Sequence, residues 1–167
     1  MIKTKKYNCL GDDITEIRIV VEKSEFGYVD NNNIPHINWG TETDVCDANG
    51  FDKNYRPDDS DIYLIENYII PNGSIICRYG NPSGMFTTIK GTAYEELSLP
   101  YIKETIEYHE YKVTADLSVK CIVTKGVVAP KFSSLGGGIQ FMHKQMISLE
   151  CEDGFLEEDK TWLQKNI

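Results

Sequence analysis

Residues 106–123, which read IEYHEYKVTADLSVKCIV, decide the fold class because they hold two alternating runs separated by a polar segment. In the first run every second residue from His109 to Val113 would share one face of a strand, with Tyr108 and Glu110 on the other face. The second run places apolar side chains at alternate positions in the same way. Alternation of this kind predicts that each run forms a strand.

The segments around this pair are short and separated by turn residues. In chain order we predict a turn at 71–73, a strand at 75–77, a turn at 80–84, a loop ending at 136–138, a strand at 139–142 and a short helix at 145–151 closed by Gly154. Short strands with few helices predict an α+β fold that has a mostly antiparallel β core and a few short helices.

The N-terminal part of the chain has a different composition. Residues 14–22 fit a strand or a short helix, and their periodicity does not decide between the two. Residues 23–61 are rich in Asn, Gly, Pro and Asp and therefore predict turns and loops. Residues 62–70 are apolar enough to be buried. We expect a domain over residues 71–167, preceded by an extension over residues 1–70 that packs on it.

The composition of the chain argues against a nucleic acid or a membrane as a partner. The formal net charge is −9, and the chain has no cluster of lysine and arginine that could displace counterions from a nucleic acid. No stretch approaches the roughly 20 apolar residues that cross a bilayer. The N-terminus lacks the apolar core of a signal peptide. We therefore expect no nucleic acid and no membrane as a partner, and the localisation stays open.

The cysteines and acidic residues do not predict a metal site. The five cysteines form no CxxC pair, so a zinc site is not expected. Reduced thiols are favoured over a disulfide framework, although spacing alone leaves one bridge open. The Asp-rich stretch 52–61 lacks the spacing and the central glycine of an EF-hand loop, which favours a solvated loop.

Four segments in a fixed order carry a resemblance to a known family. They are 77–86 (CRYGNPSGMF), 91–100 (GTAYEELSLP), 108–111 (YHEY) and 129–141 (APKFSSLGGGIQF). Their order and spacing over residues 71–156 resemble the NAD-glycohydrolase domain of the tuberculosis necrotizing toxin family. Each segment is weak alone, and their recurrence in one order makes the resemblance specific.

Arg78 is the first candidate site residue. It follows an apolar strand and precedes a turn that contains Gly80 and Gly84, where a ligand can approach the backbone closely. A guanidinium makes bidentate contacts with phosphate, although the residues alone would equally allow an ion pair with a surface carboxylate. The resemblance places Arg78 on the essential arginine of the family and implies that it binds the diphosphate of NAD.

Gln140 is the second candidate. It follows three glycines and should point away from Ile139 and Phe141, either into a cleft or into solvent. The resemblance places it on the catalytic glutamine of the family, where an amide can hold the ribose hydroxyls or orient a water. His109 matches the histidine of the family, and the residues alone leave a structural or a catalytic role open.

A further set of residues is expected to bind the substrate: Tyr79, Gly80, Phe86, Lys90, Tyr94 and Gly138. The aromatic members are candidates for stacking on the rings of NAD. Met85 stands where the family often has an arginine, and Lys90 is the candidate to replace that cation.

The resemblance implies an NAD⁺ glycohydrolase that releases nicotinamide and ADP-ribose, with NAD⁺ as the substrate and no cofactor. It also implies a toxin that depletes NAD, an immunity protein as partner, and export as an effector that acts in the cytoplasm of a target cell. Two alternatives stay open. One is an ADP-ribosyltransferase, for which Glu95 and Glu96 leave room, and the other is a catalytically inactive NAD-binding module.

Overall fold

The computed structural model describes residues 4–40, 42–57 and 61–166. The strands and the α-helix are β1 (Gly27–Val29), β2 (Pro35–Ile37), β3 (Ile65–Ile70), β4 (Ile75–Tyr79), β5 (Phe86–Ile89), β6 (Tyr108–Val113), β7 (Cys121–Val127), β8 (Ile139–His143), α1 (Ile147–Glu152) and β9 (Leu156–Asp159). Short 3₁₀ turns lie at Ser24–Phe26, Tyr94–Leu97, Lys103–Thr105 and Thr161–Asn166.

A seven-stranded sheet dominates the fold, with the strand order β3-β7-β8-β5-β4-β6-β9 and antiparallel pairing throughout. Strands β1 and β2 form a separate hairpin. The expected antiparallel β core with a few short helices is confirmed. Because α1 has only six residues, the described fold is best called mainly β with minor helix content.

The main core lies on one face of this sheet, where the predicted alternation of β6 and β7 brings buried residues together. Tyr111, Val113, Cys121 and Val123 are each at most 1% exposed. Ile147 in α1 packs on the same cluster. Burying one such aliphatic side chain contributes about 1.5–3 kcal/mol to the free energy of unfolding, so this cluster is a major source of stability.

Two predictions for the N-terminal part need adjustment. Residues 14–22 form neither a regular strand nor a helix, and only an isolated bridge joins Val21 to Tyr101. Residues 62–70 are not buried as a whole: Ile70 is 2% exposed, whereas Ile62 and Ile69 are 61% and 46% exposed. The reason is that Ile69 and Ile70 are neighbours in β3 and point to opposite faces of the sheet, of which the Ile70 face packs on the core, whereas Ile62 precedes the strand.

A tight turn over residues 47–52 attaches the N-terminal part to the end of β7. The Asp47 carboxylate accepts the backbone N–H groups of Asn49 and Phe51. The Phe51 ring is completely buried and lies over Gly126, where an added Cβ would come within 2.5 Å of the ring. The Asp52 N–H also donates to the carbonyl of Val127 at 2.8 Å. The turn is therefore fixed against the sheet.

All five cysteines are unpaired thiols. Burial raises the pKa of Cys77 and of Cys121 to about 12, which keeps both thiols protonated at neutral pH. Among the described residues, every helix is too short or too polar to cross a bilayer.

Phe51→Ala should lower the free energy of unfolding by about 3–5 kcal/mol, because it leaves a cavity over Gly126. Urea denaturation followed by circular dichroism measures the change. Tyr28→Ala removes an aromatic ring that is 63% exposed and serves as the matched control, with an expected change within about 0.5 kcal/mol. Equal stability of both variants would show that the turn is not anchored by Phe51.

Candidate active site

A cleft of about 400 Å³ opens where β4, β5 and β8 meet the 47–52 turn. That volume lies within the usual range for small-molecule sites, ~300–1,000 Å³. The sheet contributes Arg78, Tyr79, Phe86 and Gln140. The opposite wall contains Trp39, Asn49, Gly50, Lys131 and Phe132, and the remaining lining residues are Ala48, Leu97, Ser98, Leu99, Tyr101, Val128 and Ala129.

Arg78 lies at the end of β4, and its guanidinium is enclosed by the turn that follows. Nε donates to the carbonyl of Asn81 at 2.7 Å, and Nη1 donates to the carbonyl of Phe86 at 3.0 Å. A Cβ added at Gly84 would overlap the guanidinium. Glycine is therefore required at position 84 for space, and the turn fixes the orientation of the cation.

The charge of Arg78 is not neutralised by a neighbouring side chain. No carboxylate of the described residues lies within 4.0 Å of the guanidinium. Burial lowers the pKa of Arg78, but a guanidinium stays protonated under any physiological condition. A half-buried cation whose protein partners are neutral carbonyls favours the binding of an anion.

Gln140 faces the cleft from β8. Its neighbour Phe141 points to the core and is 2% exposed. The Gln140 Nε2 atom donates to the backbone carbonyl of Asn49 at 3.2 Å, across a sequence separation of 91 residues. This contact orients the amide, so that Oε1 is the acceptor atom that Gln140 offers to a hydroxyl or a water.

His109 lies opposite Arg78 in the β4–β6 register but does not line the cleft. Its Nε2 atom lies 2.7 Å from Glu107 Oε2, and its Nδ1 atom lies 2.8 Å from Glu158 Oε1. Burial lowers the pKa of His109, but the hydrogen bonds to these two carboxylates outweigh burial and raise it to about 9. An imidazolium that donates both N–H groups has no lone pair with which to accept a proton, which favours the structural alternative.

The predicted substrate-binding residues divide between two places. Phe86 lines the cleft, and Gly80 lies beside the Arg78 guanidinium. Lys90 and Tyr94 instead line a second depression, which also contains Lys103 and Trp162. Tyr79 lines both the cleft and this depression.

Position and pairing argue against three of these candidates. The Lys90 ammonium lies 3.2 Å from Glu110 Oε1, so its position does not support the idea that it replaces the cation missing at Met85. The Tyr94 hydroxyl donates to the carbonyl of Tyr101 at 2.8 Å. Gly138 packs under residues 92–96 and does not line the cleft.

Sequence reasoning missed the opposite wall of the cleft. Lys131 and Phe132 stand inside the quoted segment 129–141, whereas Trp39 and Asn49 belong to a part of the chain without any motif. A local signal existed only for Lys131, which is a cation flanked by Pro130 and an aromatic residue.

One buried cluster has the chemistry of metal ligands. Single ligand atoms of Cys121, His143 and Glu150 lie within 4.8 Å of one another. Hydrogen bonding accounts for this arrangement, because His143 contacts Glu150 at 3.0 Å and Thr87 at 2.7 Å. A closed structural zinc site takes four protein ligands, whereas these three side chains already serve as hydrogen-bond partners of one another and of Thr87. The expectation of no metal stays a prediction.

Comparisons with known proteins agree with the resemblance. Residues 69–158 match the sequence model of the family described as tuberculosis necrotizing toxin. The conidial surface nicotinamide adenine dinucleotide glycohydrolase nadA of Aspergillus fumigatus is 31% identical in an alignment 118 residues long that covers 65% of this chain. The present chain spans 46% of the length of that relative.

A solved structure shares the fold. Tuberculosis necrotizing toxin complexed with its immunity factor superposes with a TM-score of 0.52 and 17% sequence identity. The superposition covers 92% of this chain and 90% of that chain. At this identity the likeness shows the fold alone, and it agrees with the mainly antiparallel β architecture.

His109→Gln should lower the melting temperature most between about pH 5 and 6.5. The pKa of His109 rises on folding from 6.5 to about 9, so its stabilising contribution is complete below pH 6.5 and is lost as the pH rises through 9. Thermal melts of wild type and variant from pH 5 to 10 measure the difference. His36→Gln, which removes an exposed histidine paired with Asp30, should have a small effect. A pH-independent difference for His109→Gln would contradict the charged pairing.

Proposed function

Because the chain belongs to the tuberculosis necrotizing toxin family, we propose that it is an NAD⁺ glycohydrolase that cleaves the nicotinamide–ribose bond and yields nicotinamide and ADP-ribose. The observation that carries the proposal is the unpaired guanidinium of Arg78, which shares a substrate-sized cleft with Gln140. NAD⁺ is the substrate, and the proposal includes no cofactor.

The proposed reaction requires little proton transfer by protein side chains. The bond between C1′ of the ribose and the nicotinamide nitrogen breaks, and its electron pair neutralises the positive nitrogen. A water oxygen forms the new bond to C1′ and releases a proton to solvent. Since the leaving group departs neutral, the general acid that most glycosidases need is not required. The protein must bind the diphosphate, position the ribose and place the water.

Arg78 is the proposed diphosphate ligand. Its bonds to the carbonyls of Asn81 and Phe86 use two of the five guanidinium N–H groups, which leaves others for phosphate oxygens. Those two bonds also hold the planar fork in one orientation before the ligand arrives. Such preorganisation lowers the entropic cost of binding.

Gln140 is the proposed ribose and water ligand. With its Nε2 held by the Asn49 carbonyl, its Oε1 can accept a hydrogen bond from a ribose hydroxyl or from the attacking water. As positive charge develops on the ribose, this oxygen dipole becomes more favourable. A contact that strengthens in this way acts on the transition state rather than on ground-state binding.

His109 is proposed to support the site indirectly. Glu107 would otherwise be a natural counterion for Arg78, whose charge it already influences. Instead, the Glu107 carboxylate is engaged by the His109 imidazolium at 2.7 Å. His109 thereby keeps the Arg78 charge available for the substrate.

The geometry disfavours the two alternative functions. Glu95 and Glu96 do not line the cleft, and the Glu96 carboxylate accepts the backbone N–H of Ala93 at 3.0 Å. Neither residue is placed to activate an acceptor for ADP-ribosyl transfer. An inactive binding module would not be expected to keep both Arg78 and Gln140 in one cleft.

The biological setting follows from the family as part of the same proposal. The solved tuberculosis toxin is complexed with its immunity factor. We propose that this chain likewise acts as an exported toxin, depletes NAD in the cytoplasm of a target cell and is neutralised by a dedicated immunity protein.

Incubating the purified chain with NAD⁺ and separating the products by chromatography tests the proposal. Equimolar nicotinamide and free ADP-ribose are expected. Protein-linked ADP-ribose would instead favour transfer, and unchanged NAD⁺ would favour the inactive module.

Arg78→Ala should abolish turnover while the fold survives, because the cleft loses its diphosphate ligand. Arg78→Lys should also be poor, since an ammonium cannot make the planar bidentate contact. Initial rates at sub-saturating NAD⁺ measure both variants. Arg18→Ala, which removes an exposed arginine bonded to backbone carbonyls outside the cleft, is the matched control and should keep full activity. Unchanged rates for Arg78→Ala would remove this residue from the site.

Gln140→Ala should lower kcat by about 10²–10³ and change KM far less, by analogy with the loss of one preorganised transition-state contact. Gln145→Ala, whose amide bonds Glu150 and Asp153 away from the cleft, is the control. Gln140→Glu keeps the acceptor oxygen, so it should retain part of the activity if acceptance is the role. A raised KM with unchanged kcat in Gln140→Ala would mean that the residue only binds.

A further inference from the structure

The cleft differs in charge from the rest of the molecule. The chain carries a net charge of −9, yet none of the described residues that line the cleft is acidic. Two of them are cationic, Arg78 and Lys131. Because opposite charges are focused in a partly enclosed site, this lining favours an anion with more than one charged group.

Lys131 is held in place much as Arg78 is. Its ammonium donates to the backbone carbonyl of Trp39 and lies 5.5 Å from the centre of the Phe132 ring. No carboxylate of the described residues comes within 4.0 Å of it. Its protein contacts are therefore a neutral carbonyl and a ring face, and its positive charge remains available to a ligand.

An exposed ring stands beside this cation. Trp39 is 48% exposed although it lines the cleft, and its ring packs edge-on against Phe132 with centroids 5.5 Å apart. Phe132 is 8% exposed and also packs edge-on against Phe26 at 5.0 Å. One ring is thus anchored, while the other keeps apolar surface that a flat ligand could cover.

The lining residues distinguish two parts of the site. Arg78, Phe86 and Gln140 also line a smaller cavity of about 50 Å³, together with the buried Thr87 and Thr88. Trp39 and Lys131 line the main cleft only. If the scissile ribose sits at Gln140, the main cleft leaves room for the other half of a dinucleotide beside Trp39 and Lys131.

We infer that Trp39 and Lys131 form a subsite for the adenylyl half of the dinucleotide, in which the Trp39 ring stacks on adenine and the Lys131 ammonium contacts the adjacent phosphate. The inference rests on the proposed function for the direction in which the substrate lies. Trp39 falls outside the matched residues 69–158, so this subsite is contributed by a part of the chain that the family match does not cover.

Calorimetric titration with ADP-ribose, which the proposed reaction does not consume, tests the subsite. Base–aromatic stacking is worth enough that Trp39→Ala should weaken ADP-ribose binding by about tenfold or more, and Lys131→Met should weaken it also. Two variants outside the cleft are matched controls: Tyr28→Ala removes an exposed ring, and Lys23→Met removes a lysine that lies over the Phe26 ring. Both should bind like wild type. Unchanged affinity in Trp39→Ala and Lys131→Met would overturn the inference.

Fluorescence provides a measurement that does not alter Trp39. The chain has two tryptophans, and Trp162 is 7% exposed in a different cluster with Tyr108. In a Trp162→Phe variant the emission of Trp39 should be quenched by AMP at lower concentrations than by nicotinamide mononucleotide. If nicotinamide mononucleotide quenches at lower concentrations than AMP, or if AMP does not quench at all, the Trp39 ring does not stack on adenine and the inference is wrong.

Binding of ADP-ribose and hydrolysis of NAD⁺ are separate measurements, so the subsite and the hydrolase activity are tested independently. If the wild-type protein leaves NAD⁺ intact and Trp39→Ala loses ADP-ribose binding, the subsite is supported and the hydrolase activity is refuted. If the wild-type protein hydrolyses NAD⁺ and neither substitution weakens ADP-ribose binding, the hydrolase activity is supported and the subsite is refuted.

Discussion

The site depends on one constraint, the burial of a guanidinium without a counterion. Removing a cation from water is costly unless polar groups replace the lost hydration. Here the carbonyls of Asn81 and Phe86 replace part of it, and Gly84 supplies the space in which the guanidinium lies. Such an arrangement contributes little to the stability of the isolated protein, and we propose that an incoming phosphate supplies the missing counterion. Strand β4 carries Arg78, and β5 begins at Phe86, whose carbonyl accepts one of the guanidinium N–H groups.

The opposite wall of the cleft connects the N-terminal part of the chain to Gln140. Phe51 is buried over Gly126, and this anchor brings the Asn49 carbonyl to within 3.2 Å of the Gln140 amide. The glutamine is thus oriented by a residue 91 positions away. His109 pairs with Glu107 beside β4 and does not enter the cleft, which is the basis of the indirect role proposed for it.

Local patterns in the sequence predicted the sheet and half of the site. Alternation in 106–113 predicted that Tyr111 and Val113 share one face of a strand, and in β6 both lie in the core; the glycines around Arg78 pointed to a ligand turn. The opposite wall could not be predicted, since Trp39 reaches the cleft through long-range packing that leaves no periodic signal. Lys90 was proposed only as a replacement for the cation missing at Met85, and its ammonium lies against Glu110 in the second depression, a position that long-range packing fixes.

If Arg78 and Gln140 together bind NAD⁺ and act on it, both side chains must contact the nucleotide product. A crystal structure of the protein with ADP-ribose would show these contacts. We expect phosphate oxygens within hydrogen-bonding distance of the Arg78 guanidinium, about 2.7–3.2 Å, and a ribose hydroxyl at Gln140 Oε1. ADP-ribose bound outside this cleft, or bound in it without contact to Arg78, would show that the reaction site lies elsewhere.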